Sequence, residues 1–468
     1  MSKYFKVETD QSPIGYHCGE KIRFHVSARE NCMDTEMKYV RWTLEGDDGK
    51  KSRGSAKCPF TVETTLDRPG YVHLICRAYN EDNQELADFD VLEAGAGAEI
   101  EKIPYCSEIP ADYDEFWGEI ETLVANHDTR AVKKEPYFGG KPPVGCEDYL
   151  CYDMEISTPG DTKNATGYLT MPNDDKKYPL WVVYWGYGID SPQPLYRKGF
   201  ITLVISAHGL ENGLTHFDHY EKYRALDPYG FDEKENADPK TAYWYGMMLR
   251  DLCAAKYAKS VSMWDRQVMV IHGGSQGALQ ATTVAAHEKD ATLLDIHVPW
   301  FCDLNAENEG YLAGWRPKHT KGLDYYDTVA AGSRVKCPVR IEAYLGDYCC
   351  PPTTITALYN AIPAQKQITF YQAGTHGYRA PEREGYTLIG NQPEVDEKGD
   401  VRPGKYRHYK GGEYEVLFTA RDSETNEERV VYRALYGDGE IFCRPKCMWC
   451  EYVVSGEKQQ KRFTFIGE

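Results

Sequence analysis

Apolar and polar residues alternate over Lys21–Val26 and again over Tyr39–Leu44, the two-residue period of strands covered on one face. Gly46-Asp47-Asp48-Gly49 closes the second run as a turn, and Pro69-Gly70 introduces a third strand, Tyr71–Cys76. About seven short strands in the first ~95 residues predict an immunoglobulin-like β-sandwich over residues 1–98. Trp42 and Cys76 fall where such a sandwich puts its core Trp and second Cys. Cys18 precedes the first of these strands, so no disulfide between sheets is expected.

The pattern then changes. Pro179–Tyr184, Phe200–Ile205, Val268–Ile271 and Val339–Leu345 are continuous apolar runs, as strands buried on both faces require. Helical stretches such as Tyr243–Ser260 and Ala278–Glu288 lie between them. Alternation of this kind predicts a doubly wound α/β sheet over 99–390, with its ligand beyond the carboxyl ends of the strands. From about residue 405 short strands return with Gly-containing turns, predicting a small all-β, barrel-like domain over 405–468. Two composition shifts read as linkers: Ala94–Ala98, made of Gly and Ala, and 391–404, rich in Pro, Gly and Asp.

Charge narrows the function classes. The 468 residues carry 54 Lys+Arg against 72 Asp+Glu, a net charge of −18. Phosphate backbones and anionic lipid surfaces repel such a chain, so neither nucleic acid nor membrane is expected as a partner of the whole. Association of identical subunits is left open. The apolar stretches are about half the ~20 residues a bilayer span needs, and the first residues carry no secretory h-region. The 15 cysteines therefore read as reduced thiols in a cytoplasmic protein. Cys443, Cys447 and Cys450 contain a C-x-x-C step, but no fourth ligand lies nearby for structural zinc, and buried free thiols on short strands are expected there.

The chemistry begins at Gly273-Gly274-Ser275-Gln276-Gly277, a G-x-S-x-G sequence directly after a buried strand and directly before a helix. A nucleophilic serine on that strained turn needs small residues two positions to either side, and the helix start offers free N–H groups to an oxyanion. The acid and histidine must follow in chain order. Asp347 lies just past the Val339–Leu345 strand. After it only His376 and His408 remain, and His408 falls beyond the second linker. The predicted triad is therefore Ser275, Asp347 and His376. The predicted oxyanion donors are the N–H of Gln276 and, from the Tyr184–Gly188 loop, that of Tyr187.

With these residues in view, 104–390 resembles the acetyl xylan esterase / cephalosporin-C deacetylase family, carbohydrate esterase family seven. The similarity lies in Ile109–Trp117, in the Gly-Gly-Ser-Gln-Gly elbow, in Asp347-Tyr348-Cys349-Cys350-Pro351-Pro352, in Gly186-Tyr187 and in the aromatic stretch Thr241–Arg250. Three features depart from it. The family's Arg-Gly-Gln is His208-Gly209-Leu210 here, the residue after the histidine is Gly377 rather than Glu, and Ala278 replaces a Gly. The pattern is that of a divergent branch. Lys405–Gly411, Val430–Gly437 and Arg444-Pro445 resemble a bacterial domain of unknown function (1653).

The resemblance implies an α/β-hydrolase, a serine carboxylic-ester hydrolase that removes acetyl or other short acyl groups from a small acylated carbohydrate through an acyl-enzyme. No metal or organic cofactor is called for. Trp185, His208, Tyr243, Trp244 and Tyr245 are expected at the substrate mouth. Two rival readings are a peptidase or thioesterase on the same fold, for which the acid-rich segment Asp227–Asp238 could anchor an amine, and a dead hydrolase core serving as a binding adaptor.

Overall fold

Seven strands open the chain: β1 Phe5–Thr9, β2 Ile22–Ala28, β3 Tyr39–Gly46, β4 Lys51–Ala56, β5 Phe60–Thr64, β6 Gly70–Tyr79 and β7 Leu92–Ala98. In the computed structural model the described residues are 5–29, 37–86, 91–139, 142–226, 229–377, 385–391, 401–423, 428–437, 439–450, 452–455 and 458–467. The seven strands make two antiparallel sheets, ordered β1-β2-β5 and β4-β3-β6-β7. Their alternate side chains meet in one core, with Phe24 and Val26 from one sheet against Val40, Leu44 and Leu74 from the other. Trp42 lies opposite Cys76 in the ladder and is half-buried against that core.

The Gly- and Ala-rich stretch expected to be a linker is instead strand β7, buried along most of its length. Its small residues answer to close approach rather than to flexibility. A Cβ on Gly95 would sit 2.3 Å from the carbonyl oxygen of Leu345, in the segment that leads to Asp347.

The middle of the chain folds as a ten-stranded mixed sheet. Its strands are β8 Ala131–Pro136, β9 Tyr149–Ile156, β10 Ala165–Pro172, β11 Tyr178–Tyr184, β12 Ile201–Ile205, β13 Trp264–Gly274, β14 Leu293–His297, β15 Val339–Tyr344, β16 Lys366–Tyr371 and β17 Gly385–Gly390. The order is β17-β16-β15-β14-β13-β11-β12-β10-β9-β8. Strands β11 to β16 are mutually parallel, whereas β8, β9 and β10 join antiparallel at one side. Strand order reverses around β11, which lies between β12 and β13, and it is beyond the carboxyl ends of such strands that a ligand crevice opens. The helices are α1 Tyr113–Asn126, α2 His216–Arg224, α3 Tyr243–Ala258, α4 Gln276–His287, α5 Thr328–Gly332 and α6 Pro352–Ala361. All but α2 contribute to one large core with Val182, Leu203, Ile271 and Ile341. The alternate residues Val183 and Val204 face the other way, into a smaller cluster with Cys151 and Tyr168. Both faces are covered, which is why these strands read as unbroken apolar runs.

The chain forms two compact units, 1–389 and 390–468, so the N-terminal sheets and the ten-stranded sheet belong to one body. Of the linker expected over 391–404, residues 392–400 lie outside the described residues. The second unit is a five-stranded antiparallel sheet built from β18 Gly404–His408, β19 Glu413–Arg421, β20 Glu428–Ala434, β21 Ile441–Pro445 and, after a separate hairpin of β22 Tyr452–Ser455 and β23 Lys458–Lys461, β24 Phe463–Gly467. Helix α7, Lys446–Cys450, delivers Trp449 to a core where its ring lies flat on Phe463 at 3.8 Å. Cys443 is exposed on β21 and Cys450 half-buried on α7, so neither is the buried strand thiol that the sequence suggested. Among the described residues no helix is long and apolar enough to cross a membrane.

Candidate active site

Strand β13 runs straight into Ser275, which takes φ 54° and ψ −124° before α4 begins at Gln276. A positive φ on a non-glycine residue costs about 1–3 kcal/mol and persists only where its surroundings enforce it. Here the enforcement is visible. The Ser275 N–H donates to His297 O at 3.0 Å, and Ser275 O accepts from Trp300 N at 3.2 Å. A Cβ on Gly277 would lie 2.2 Å from Tyr184 O, so the small residue that the elbow pattern demands is imposed by β11 passing beneath.

Two loops meet this serine. Asp347 follows β15, and His376 follows β16. His376 Nε2 lies 2.9 Å from Ser275 Oγ, and His376 Nδ1 lies 2.9 Å from Asp347 Oδ2. The other carboxylate oxygen, Oδ1, accepts the N–H groups of Cys349 at 3.0 Å and Cys350 at 2.9 Å, which fixes the fully buried acid. Burial pushes the His376 imidazole down, but the hydrogen bond and charge of Asp347 outweigh it and hold the ring above its ordinary value of 6.5. Serine, imidazole and carboxylate thus form a continuous hydrogen-bonded chain ending at the half-buried Ser275.

The two predicted oxyanion positions flank that oxygen's strand. Gln276 opens α4, where the first N–H groups have no intrahelical acceptor. The Tyr187 carbonyl accepts from His208 Nε2 at 2.7 Å, while His208 Nδ1 accepts the Tyr243 hydroxyl at 2.8 Å. Burial pushes His208 down to about 3, so it is neutral and its role is to hold the Tyr187 loop.

The five residues expected at the mouth take different positions. His208 and Trp244 are buried, Trp244 among Trp300 and Phe301, so neither has a face to offer a substrate. Tyr245 points to Phe116 of α1, Tyr243 is spent on His208, and Trp185 packs in the cluster around Tyr168 and Val183. Other aromatic residues gather around Tyr187. Trp315 stacks on Trp300 at 5.2 Å and meets Tyr187 edge-on at 5.0 Å. Beside Tyr187 opens a cleft of about 500 Å³ lined by Tyr223, Tyr229 and Phe231, with Glu221 and Arg224 at its polar rim. The high aromatic content of 187–245 was the available signal.

The N-terminal sheets also reach this site. Gln372 in the histidine loop exchanges two hydrogen bonds with the Gly95 backbone, at 2.8 and 3.1 Å. The His73 ring stacks on Tyr348 of the acid loop at 3.6 Å. Buried Asp47 accepts Tyr71 N at 2.6 Å, Leu312 N at 2.8 Å and Thr353 Oγ1 at 2.5 Å, joining β6 to the segment between β14 and α5 and to α6 itself. Burial pushes its carboxyl up to about 6 in spite of these bonds. A further feature is the Cys349 thiol, held down to about 7 by a hydrogen bond from Cys350 and, against burial, by His376.

A mixed, mostly parallel sheet with these loops at its carboxyl edge defines an α/β-hydrolase. The family model described as Acetyl xylan esterase (AXE1) matches residues 98–309 and 316–386, and the chain belongs to this family. The model described as Protein of unknown function (DUF1653) matches 404–465. The chain is 28% identical over 334 residues to "Acetyl esterase Axe7A" from Xylanibacter ruminicola, covering 65% of this chain and 70% of that protein. Among solved structures, an acetyl xylan esterase from Paenibacillus sp. R4 is 21% identical, with TM-score 0.49, over 60% of this chain and 94% of its own. A Bordetella bronchiseptica protein belonging to DUF1653 is 44% identical, with TM-score 0.14, over 14% of this chain and 90% of its own. The acetyl xylan esterase family match and the Xylanibacter ruminicola relative support removal of acetyl groups and do not favour the peptidase, thioesterase or adaptor readings.

Proposed function

We propose that Ser275, His376 and Asp347 are the catalytic triad of a deacetylase acting on a small acetylated carbohydrate. His376 takes the Ser275 proton as Oγ attacks the ester carbonyl, and Asp347 holds the imidazole tautomer and stabilises the imidazolium. The tetrahedral oxyanion is received by the N–H groups of Gln276 and Tyr187. The protonated imidazole then returns its proton to the leaving alkoxide, and water activated by His376 releases acetate from the acyl-enzyme. No step calls for a metal or organic cofactor.

The observation that carries this reading is the 2.9 Å contact of His376 with both Ser275 and Asp347. The aromatic cleft beside Tyr187 supports a sugar as the alcohol, since flat rings with a charged rim suit the apolar faces and hydroxyls of a pyranose. We also propose that the two N-terminal sheets are an immunoglobulin-like sandwich that buttresses the acid and histidine loops. The described cysteines are unbridged, in keeping with a reducing, cytoplasmic setting. The test is acetate release from acetylated xylo-oligosaccharides by the full chain. Release that exceeds that from p-nitrophenyl acetate in kcat/KM supports a sugar substrate, and turnover of the nitrophenyl ester alone contradicts it.

A further inference from the structure

Hydrolysis of an ester makes no use of the two adjacent sulfurs beside this triad. Cys349 and Cys350 follow Asp347 by two and three residues, and both their N–H groups are tied to its carboxylate. Their sulfurs and a ring nitrogen of His376 all lie within 4.8 Å of one another. Two thiols and an imidazole are a donor set that soft, filled-shell divalent cations select over hard ones. With Zn–S of about 2.3 Å and Zn–N of about 2.0–2.1 Å, donors in a tetrahedral site stand roughly 3.5–3.8 Å apart. The triangle therefore has to contract by about 1.3 Å at most, within reach of side-chain rotation.

The surroundings fit an ion that arrives from solvent. Cys349 and His376 are partly exposed and Cys350 is buried behind them, so a cation meets two donors at the surface and the third at the back. Three protein ligands leave a fourth position for water. Both nitrogens of His376 are already engaged, Nδ1 with Asp347 and Nε2 with Ser275. Coordination must displace one of those bonds, so the metal and the hydrolytic state compete for one imidazole.

We infer that Cys349, Cys350 and His376 form an inhibitory site for Zn²⁺ and related soft divalent cations, occupancy of which withdraws His376 from the triad. Binding releases one proton from each thiol to solvent, and the two thiolates balance the dication. No electron transfer is involved. The inhibitory half rests on His376 being the catalytic base, whereas the binding half does not.

The experiment uses the full chain, reduced and metal-free. Cd²⁺ is titrated while its thiolate charge-transfer absorption is followed, and Zn²⁺ is titrated against hydrolysis of p-nitrophenyl acetate, each variant being referred to its own metal-free rate. The expected result is saturable inhibition by Zn²⁺, reversed by EDTA. In Cys349→Ser and Cys350→Ser the apparent affinity should fall by about 100-fold or more, since even the partners behind metal ligands are worth ~10–100-fold. Cys443→Ser, in the second unit, should behave as wild type. Half-exposed Cys349 keeps the test available should Cys350→Ser not fold. Inhibition or a charge-transfer band unaltered in Cys349→Ser overturns the site. A band that depends on both cysteines, with hydrolysis indifferent to Zn²⁺, overturns the inhibitory claim. Whether His376 is the base is read separately, from His376→Ala without metal.

Discussion

Replacing Gly95 by Ala tests whether the N-terminal sheets set the geometry of the catalytic loops. The added Cβ would stand 2.3 Å from Leu345 O and 3.1 Å from Val72 O, where ordinary contact begins at 3.4 Å. Both obstacles are backbone, so no side chain can swing aside. Strand β7 is held to β6 along its length, so the weaker partner, the Leu345–Asp347 segment, must retreat by about 1 Å. Gly346 N is bonded to Gly374 O at 3.0 Å, and Gln372 is bonded to Gly95 itself, so the histidine loop is drawn along. A displacement of about 1 Å at catalytic groups costs on the order of 10²-fold in turnover, and overpacking of this kind costs about 1–3 kcal/mol in stability. The assay is kcat on p-nitrophenyl acetate at a temperature well below a separately measured melting transition. A folded Gly95→Ala protein with wild-type kcat would refute the coupling.

Other outcomes follow from the same geometry. His376→Ala should lower kcat by ~10⁴-fold or more, while His408→Ala, in the second unit, should leave it near wild type. Because Asp347 holds His376 above 6.5, the neutral base prevails only at higher pH, so the acid limb of kcat/KM should titrate above 6.5 and move down in residual Asp347→Asn activity. Along acetyl, butyryl and octanoyl esters of one alcohol, kcat/KM should fall if, as proposed, the rings of Tyr187 and Trp315 stand at the acyl site, and each excluded methylene is worth about 1–3 kcal/mol. Asp47 has a folded pKa of about 6 against 3.8 for its unfolded carboxyl, so the folded state holds the extra proton between them. Stability from this group is full below about 4 and is lost as pH rises to about 6, a slope that thermal melts of Asp47→Asn should lack.

That Ser275, Asp347 and His376 would meet was readable because the fold leaves few choices: a serine between a buried strand and a helix, one acid past a later strand, one histidine before the second linker. The mouth was not. Tyr243, Trp244 and Tyr245 are consecutive on α3, and consecutive helical residues point ~100° apart, so the three cannot share one face. They go to His208, the core and α1 respectively. Trp315 came from an irregular segment with no periodicity to place it. Composition also misled at 94–98, where Gly and Ala serve contact with Leu345 rather than flexibility. The role of Asp47 depends on partners 24, 265 and 306 residues away, a separation that no local pattern encodes.

The central claim, that Ser275 is a nucleophile activated by His376, is tested most directly by a fluorophosphonate probe with peptide mapping of the adduct. The strained elbow holds Oγ of half-buried Ser275 at 2.9 Å from the imidazole, so the wild-type chain should carry one adduct, on Ser275, formed far more slowly in His376→Ala. Labelling that persists in Ser275→Ala, or a wild-type chain that takes no label, would contradict it.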